Sequence, residues 1–145
     1  MGAVQLQSRS EGRVRVVLVA PTVVEITYEG FIDRAATEQG FAEADALLDA
    51  NPGAHSLLWD TDGLTGYEPG NTAITMKWLA RTAQVRRGAT VTRSQAIASL
   101  VHVARVMVQG YEVQVFRTRE EALAWLQSPL TGRPRTRSGR YRRAV

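Results

Sequence analysis

The chain of 145 residues contains no cysteine, which excludes disulfides and thiolate metal centres together. It has no apolar run near the ~18 residues that a membrane-spanning helix needs. Its first segment, Met1 to Gly12, is polar and lacks the apolar stretch of a secretory signal. These absences make a cytoplasmic protein the default expectation. The motifs that announce nucleotide or zinc chemistry (G-x-x-x-x-G-K-[ST], G-x-G-x-x-G, H-E-x-x-H) are missing. The 2 histidines have no serine or cysteine nucleophile in a recognisable arrangement. No cofactor and no metal are expected, and the chain reads as a non-enzyme.

Acidic residues are missing from one region only. Arg133, Arg135, Arg137, Arg140, Arg142 and Arg143 lie in a stretch rich in Gly, Pro, Ser and Arg that contains no acid. The formal charge of +4 is therefore a property of the tail. Without those six arginines, 12 basic residues face 14 acidic ones and residues 1–130 carry −2. Such a tail buries too little apolar surface to order itself. It reads as a solvated end or as a polyanion-binding arm built on the six arginines. The organisation expected is a polar extension over 1–12, one domain over 13–127 and a basic tail over 128–145.

What is present in the body alternates between two periods. Val14, Val16 and Leu18 mark a first strand, and Ala20-Pro21-Thr22 a turn too short for a parallel crossover, so the next strand must return antiparallel. Val24, Ile26 and Tyr28 alternate with Glu25, Thr27 and Glu29, which implies one buried and one wet face. Asp33 can cap a helix that carries Phe41, Ala44 and Leu48 on one side and stops at Asn51-Pro52-Gly53. Ser56 to Trp59 reads as a short strand ending at Asp60, with His55 near its start. Thr61 to Asn71 reads as a loop, since Asp62-Gly63 and Thr65-Gly66 are turn pairs. A helix from Asn71 to about Arg87 and a strand over Ala89 to Thr92 follow. Ser94 can cap the next helix, with an apolar stripe of Ile97, Leu100, Val101, Ala104, Met107 and Val108, and His102 on the polar side. Glu112 to Phe116 is the fifth strand. Thr118-Arg119-Glu120-Glu121 is a capping box that opens the last helix through Trp125 and Leu126. The order β-β-α-β-α-β-α-β-α indicates an α/β fold with one five-stranded mixed sheet and four main helices.

Three segments, in this order and spacing, resemble the STAS fold and within it the SpoIIAA-like group of bacterial proteins. They are I-T-Y-E-G-F-I-D (Ile26 to Asp33), L-L-W-D-T-D-G-L-T-G-Y (Leu57 to Tyr67) and V-F-R-T-R-E-E-A-L-A-W-L (Val115 to Leu126). The resemblance spans about residues 13 to 127. It implies a regulatory or scaffolding module that binds a protein partner through the second helix and the loop before it. In antagonist members a D-S-S-G segment opens that helix and is phosphorylated on serine. Here Glu68-Pro69-Gly70-Asn71 stands in its place with no serine, so the phosphoserine switch does not carry over.

The residues expected to meet a partner are Asp60, Asp62, Tyr67, Gly70, Asn71, Thr72, Lys77, Trp78 and Arg81. Gly70-Asn71-Thr72 opens a helix with free amides, suited to an anion, and Lys77 and Arg81 add charge. Two rival readings stand beside this one. A small-ligand or lipid-type binding protein would show a pocket lined by apolar side chains with few polar groups. An enzyme would use Asp60 and Asp62, with Glu68 and His55 nearby, as paired carboxylates in a cleft. Non-specific contact of the tail with a polyanion and a homodimer stay open.

Overall fold

The computed structural model describes residues 12–132. The expected polar extension up to Glu11 and the six tail arginines from Arg133 onward lie outside the described residues. One five-stranded sheet runs in the order β1-β2-β3-β4-β5, with β1 (Arg13–Ala20) antiparallel to β2 (Val23–Ile32) and every later pair parallel. The remaining strands are β3 (Ser56–Tyr67), β4 (Arg87–Val91) and β5 (Glu112–Phe116). The helices are α1 (Arg34–Ala50), α2 (Asn71–Arg81), α3 (Gln95–Met107) and α4 (Arg119–Leu126). The α/β class and the element order expected from the sequence are both observed.

Because β2 to β5 follow one another across the sheet, three successive crossovers of the usual right hand put α1, α2 and α3 on the same face. Their buried residues join those of the sheet in one core, including Phe41, Leu48, Trp78, Leu79 and Val108 with Ile26 and Leu57. After β5 the chain crosses to the opposite face, where Ala122 and Leu126 of α4 pack on Val23, Leu58, Ala89 and Val91.

That second layer corrects the reading of β2. Glu25 was expected on a wet face, yet it is buried among the residues under α4. Burial of its carboxylate is compensated by Arg119, whose Nε and Nη2 donate at 2.8 and 3.0 Å to its two oxygens. A fork of this kind satisfies both acceptors at once, and it raises the arginine's own proton affinity chiefly through that hydrogen bond.

Helix starts follow the sequence closely. Asp33 accepts from the Ala36 amide, Ser94 from Ile97 and Thr118 from Glu121, at 2.8, 3.3 and 3.2 Å. Two ends differ from expectation. α2 stops at Arg81 rather than Arg87. The reason is Gln84, whose Nε2 donates to the carbonyls of Leu48, Asn51 and Ala54 at 3.0, 3.0 and 2.8 Å. Those carbonyls lie at the end of α1 and in its exit turn, where the regular helical donors run out; those of Leu48 and Asn51 also accept from the Asn51 and Ala54 amides, and residues after Thr82 are drawn over to complete the cap. At the end of α3, Met107 is half-exposed rather than part of the buried stripe.

The other departure is β3. Thr61 to Tyr67 is not a loop but the second half of a 12-residue strand. It pairs with β2 through Glu29–Gly63, Gly30–Leu64, Phe31–Gly66 and Ile32–Tyr67, with register shifts on either side of Glu29 and Gly30. The glycines that suggested turns serve irregular pairing instead. A Cβ on Gly63 would lie 2.9 Å from the Tyr28 carbonyl oxygen.

The segment after α4 is held to the domain. Arg87, 3% exposed, directs Nη1 to the carbonyls of Trp125 and Ser128 at 2.9 Å each, and Nη2 to that of Pro129 at 3.1 Å. Its guanidinium lies 4.6 Å from the centre of the Trp125 ring. Its Nε has no hydrogen bond but sits 3.7 Å from a Glu112 oxygen, an ion-pair distance. Arg86 reaches the Gly132 carbonyl at 3.1 Å.

Candidate functional site

The extension of β3 sets Glu68 and His55 apart from Asp60 and Asp62, at and beyond opposite ends of the strand. Asp60 accepts from the Asp62 amide at 3.2 Å, a local turn contact. Glu68 lies beyond the far end of the strand, where its Oε1 accepts from the Arg34 amide at 2.8 Å and its Oε2 pairs with the Arg34 side chain at 3.3 Å. His55 stands before the opposite end of the same strand, its Nδ1 2.8 Å from Ser56 Oγ. Burial, helped by Arg87 and Arg86 and opposed by a backbone hydrogen bond, lowers its pKa. The expected neighbourhood of Asp60, Glu68 and His55 is therefore not formed. Among the described residues no cluster of three His, Cys, Asp or Glu is placed to hold a metal ion.

The expected partner-binding residues divide by exposure. Asp62, Tyr67, Gly70, Lys77 and Arg81 are exposed, and Asp60 and Thr72 are half-buried. Trp78 and Asn71 are buried, at 2% and 6% exposure, and do not form part of the outer surface. Trp78 stacks on Phe41 with ring centres 4.5 Å apart, and its indole N–H donates to Asp45 at 2.9 Å. Asp45 also pairs with Arg81 at 3.2 Å, which ties α1 to α2. Gly70 caps α2 with φ 99°, a left-handed geometry that glycine adopts without strain, and contributes no side-chain capping bond. Beside these residues, Phe31 and Tyr67 are exposed at the ends of neighbouring strands.

Between α2, α3 and the carboxyl-terminal parts of the strands is a cavity of about 130 Å³. Tyr28, Trp59 and Thr90 contribute from the sheet, Met76 and Leu79 from α2, and Leu100 and Ala104 from α3. The rings of Tyr28 and Trp59 are parallel within 4°. The Trp59 indole donates to the Tyr111 hydroxyl at 3.1 Å. A side chain at position 88 would run into that hydroxyl, so the contact depends on Gly88. Burial, with Tyr111 as the second cause, pushes the Tyr28 phenol well above its ordinary range. This cavity was not foreseen in the sequence. Its one available trace was a set of hydroxyl residues, Thr72 and Thr75, on the otherwise apolar side of α2.

The SpoIIAA-like family model matches residues 23–127. The chain belongs to the SpoIIAA-like family. The match covers β2 through α4 and leaves out β1. No curated protein matches the sequence. A crystal structure of a DUF3478-family protein with a SpoIIAA-like fold, from Shewanella loihica, is similar with a TM-score of 0.62 at 19% identity, covering 79% of this chain and 94% of that one. The anti-sigma factor antagonist SpoIIAA in its unphosphorylated form gives a TM-score of 0.61 at 17% identity, covering 80% of this chain and 99% of that one. At these identities the likeness establishes the STAS fold of this SpoIIAA-like chain. No helix among the described residues is long and apolar enough to cross a membrane.

Proposed function

We propose that the protein is a non-enzymatic regulatory or scaffolding module that binds a protein partner through the end of β3, the Glu68–Gly70 turn and the outer side of α2. The observation that carries this reading is the surface at the carboxyl ends of β2 and β3. Phe31 and Tyr67 are 42% and 37% exposed there, on strands that pair Ile32 with Tyr67, and the exposed Lys77 lies on the helix that follows. Aromatic residues are enriched at interfaces, and tyrosine is among the types that dominate binding energy there. The carboxyl end of a parallel sheet is also where α/β folds place their ligands. No serine stands at positions 68–71, so control by a phosphoserine at the start of α2 does not belong to this reading. The test is quantitative affinity purification from the native cell with the wild type and with Phe31→Ser/Tyr67→Ser/Lys77→Glu. One stoichiometric protein lost specifically in the triple variant supports the reading. An unchanged set of captured proteins overturns it.

A second reading has its own observation, the cavity of about 130 Å³ beside α2. Mostly apolar lining with a few polar groups is the character of a small-molecule site. In this reading the domain binds a compact apolar ligand, and contact between the ligand and α2 alters the same surface.

A further inference from the structure

The residues around the cavity give it a definite polarity. None of them carries a formal charge at neutral pH, since its ionisable members are tyrosines. One of them, Asn71, is 6% exposed and opens α2. Its Nδ2 donates to the Ile32 carbonyl at 2.9 Å, which fixes the orientation of the amide. The carbonyl oxygen Oδ1 is then left buried with no donor among the described residues. A buried acceptor without a donor is costly, and native folds rarely retain one without a use.

We propose that the cavity binds a small neutral molecule with a body about the size of one aromatic ring, whose single hydroxyl or N–H donates a hydrogen bond to Asn71 Oδ1. This rests on the ligand-binding reading above and adds size, charge and an anchoring atom to it. The size follows from the volume of about 130 Å³, close to the ~150 Å³ of an engineered apolar cavity that takes up benzene. The charge follows from the lining: an ion entering it would lose its hydration with no counter-charge to meet. The parallel faces of Tyr28 and Trp59 suit a flat apolar body. The donor follows from the vacant acceptor, because an acceptor-only ligand would leave Oδ1 as it is.

The experiment is a titration of the full chain with phenol, toluene and benzoate, followed through the Trp59 indole N–H and backbone amides by ¹H–¹⁵N NMR. Phenol and toluene have nearly the same shape and differ in the donor. Phenol is expected to bind about tenfold more tightly than toluene, and benzoate not to enter. In Asn71→Leu the preference should vanish or invert. Ala104→Met, which fills the space from α3 and leaves Asn71 in the sequence, should abolish binding of both. Equal affinity for phenol and toluene in the wild type overturns the anchoring role of Asn71 while leaving an apolar ligand site standing. Benzoate binding that Ala104→Met blocks overturns the neutral character. Absence of binding by both neutral probes, or binding untouched by Ala104→Met, ends the ligand-binding reading as well. Should Asn71→Leu lose its dispersed spectrum, the wild-type ratio and Ala104→Met decide the matter alone.

Discussion

Three helices cover one face of the sheet and leave about 130 Å³ unfilled between two of them. On the other face a helix of 8 residues covers the middle strands, and charged side chains complete the layer around it. Glu25 and Arg119 close one side, and Arg87 with the carbonyls after α4 closes the other. The contrast shows two ways of covering a parallel sheet. Large apolar elements cover more area but meet imperfectly, whereas a short element succeeds only where polar groups finish the boundary. The first arrangement leaves room for a ligand; the second fixes the chain rigidly and has little to spare.

The largest effect should come from removing the polar closure. Arg87→Met keeps most of the side-chain volume but removes the one guanidinium that the carbonyls of Trp125, Ser128 and Pro129 share, and of these the Trp125 carbonyl alone keeps the Ser128 amide and hydroxyl as donors. Urea unfolding should show a loss of about 2–4 kcal/mol. A loss below the error of the measurement would mean that the segment after α4 finds water at no cost, and the contrast between faces would weaken. The expectation that the tail begins at residue 128 is sharpened in the same way. A chain ending at Gln127 should lose stability, while one ending at Gly132 should melt like the full-length protein.

A pair of enlargements on alanine tests the two faces directly. Ala122 on α4 is fully buried in the tight layer, so Ala122→Val should destabilise by about 1–3 kcal/mol through overpacking. Ala104 on α3 borders the cavity, so Ala104→Met should stabilise by about 0.5–1 kcal/mol by filling it. Calorimetry that finds the same sign for both would remove the distinction in packing.

The layout of elements was legible because period and punctuation agree. Asp33, Ser94 and Thr118 all cap the helices they were expected to open. The Ala20-Pro21-Thr22 turn forces the antiparallel pair it implied. What could not be read was anything decided by a neighbour distant in sequence. Glu25 looks solvated until Arg119 arrives from 94 residues away. Asp62-Gly63 and Thr65-Gly66 read as turns because glycine marks a turn and a strand irregularity alike, and only β2 decides between them. The end of α2 depends on Gln84 capping a different helix. Of the residues expected to meet a partner, burial separates Trp78 and Asn71 from their exposed neighbours. The cavity has no linear signature, being the space that side chains of seven elements fail to fill.

The smallest effect concerns pH at the edge near Arg86 and Arg87. His55 has a pKa lowered from 6.5, mainly by burial. The unfolded chain therefore takes up the proton first as pH falls, and the stability associated with neutral His55 is complete above 6.5 and is lost below it. Between pH 7.5 and 5 the wild type should lose slightly more than His55→Gln, by about 1 °C in melting temperature. An identical decline for both proteins would show that His55 does not sense the fold.

The directions of the strands also bear on how the molecule comes to be folded. Only β1 and β2 are joined by a short turn. Each parallel pair must wait for an intervening helix to form and pack before its strands can meet. The hairpin belongs to a class of event that takes about 1–10 μs, while pairings between residues far apart in sequence arrive later because loop closure must precede them. β2 is then held in register by its hairpin partner from the outset, with its other edge open to receive β3. Each parallel pair brings together residues well separated along the chain, such as Val23 with Ser56 and Arg87 with Glu112, so every one of them closes a longer loop than the hairpin does.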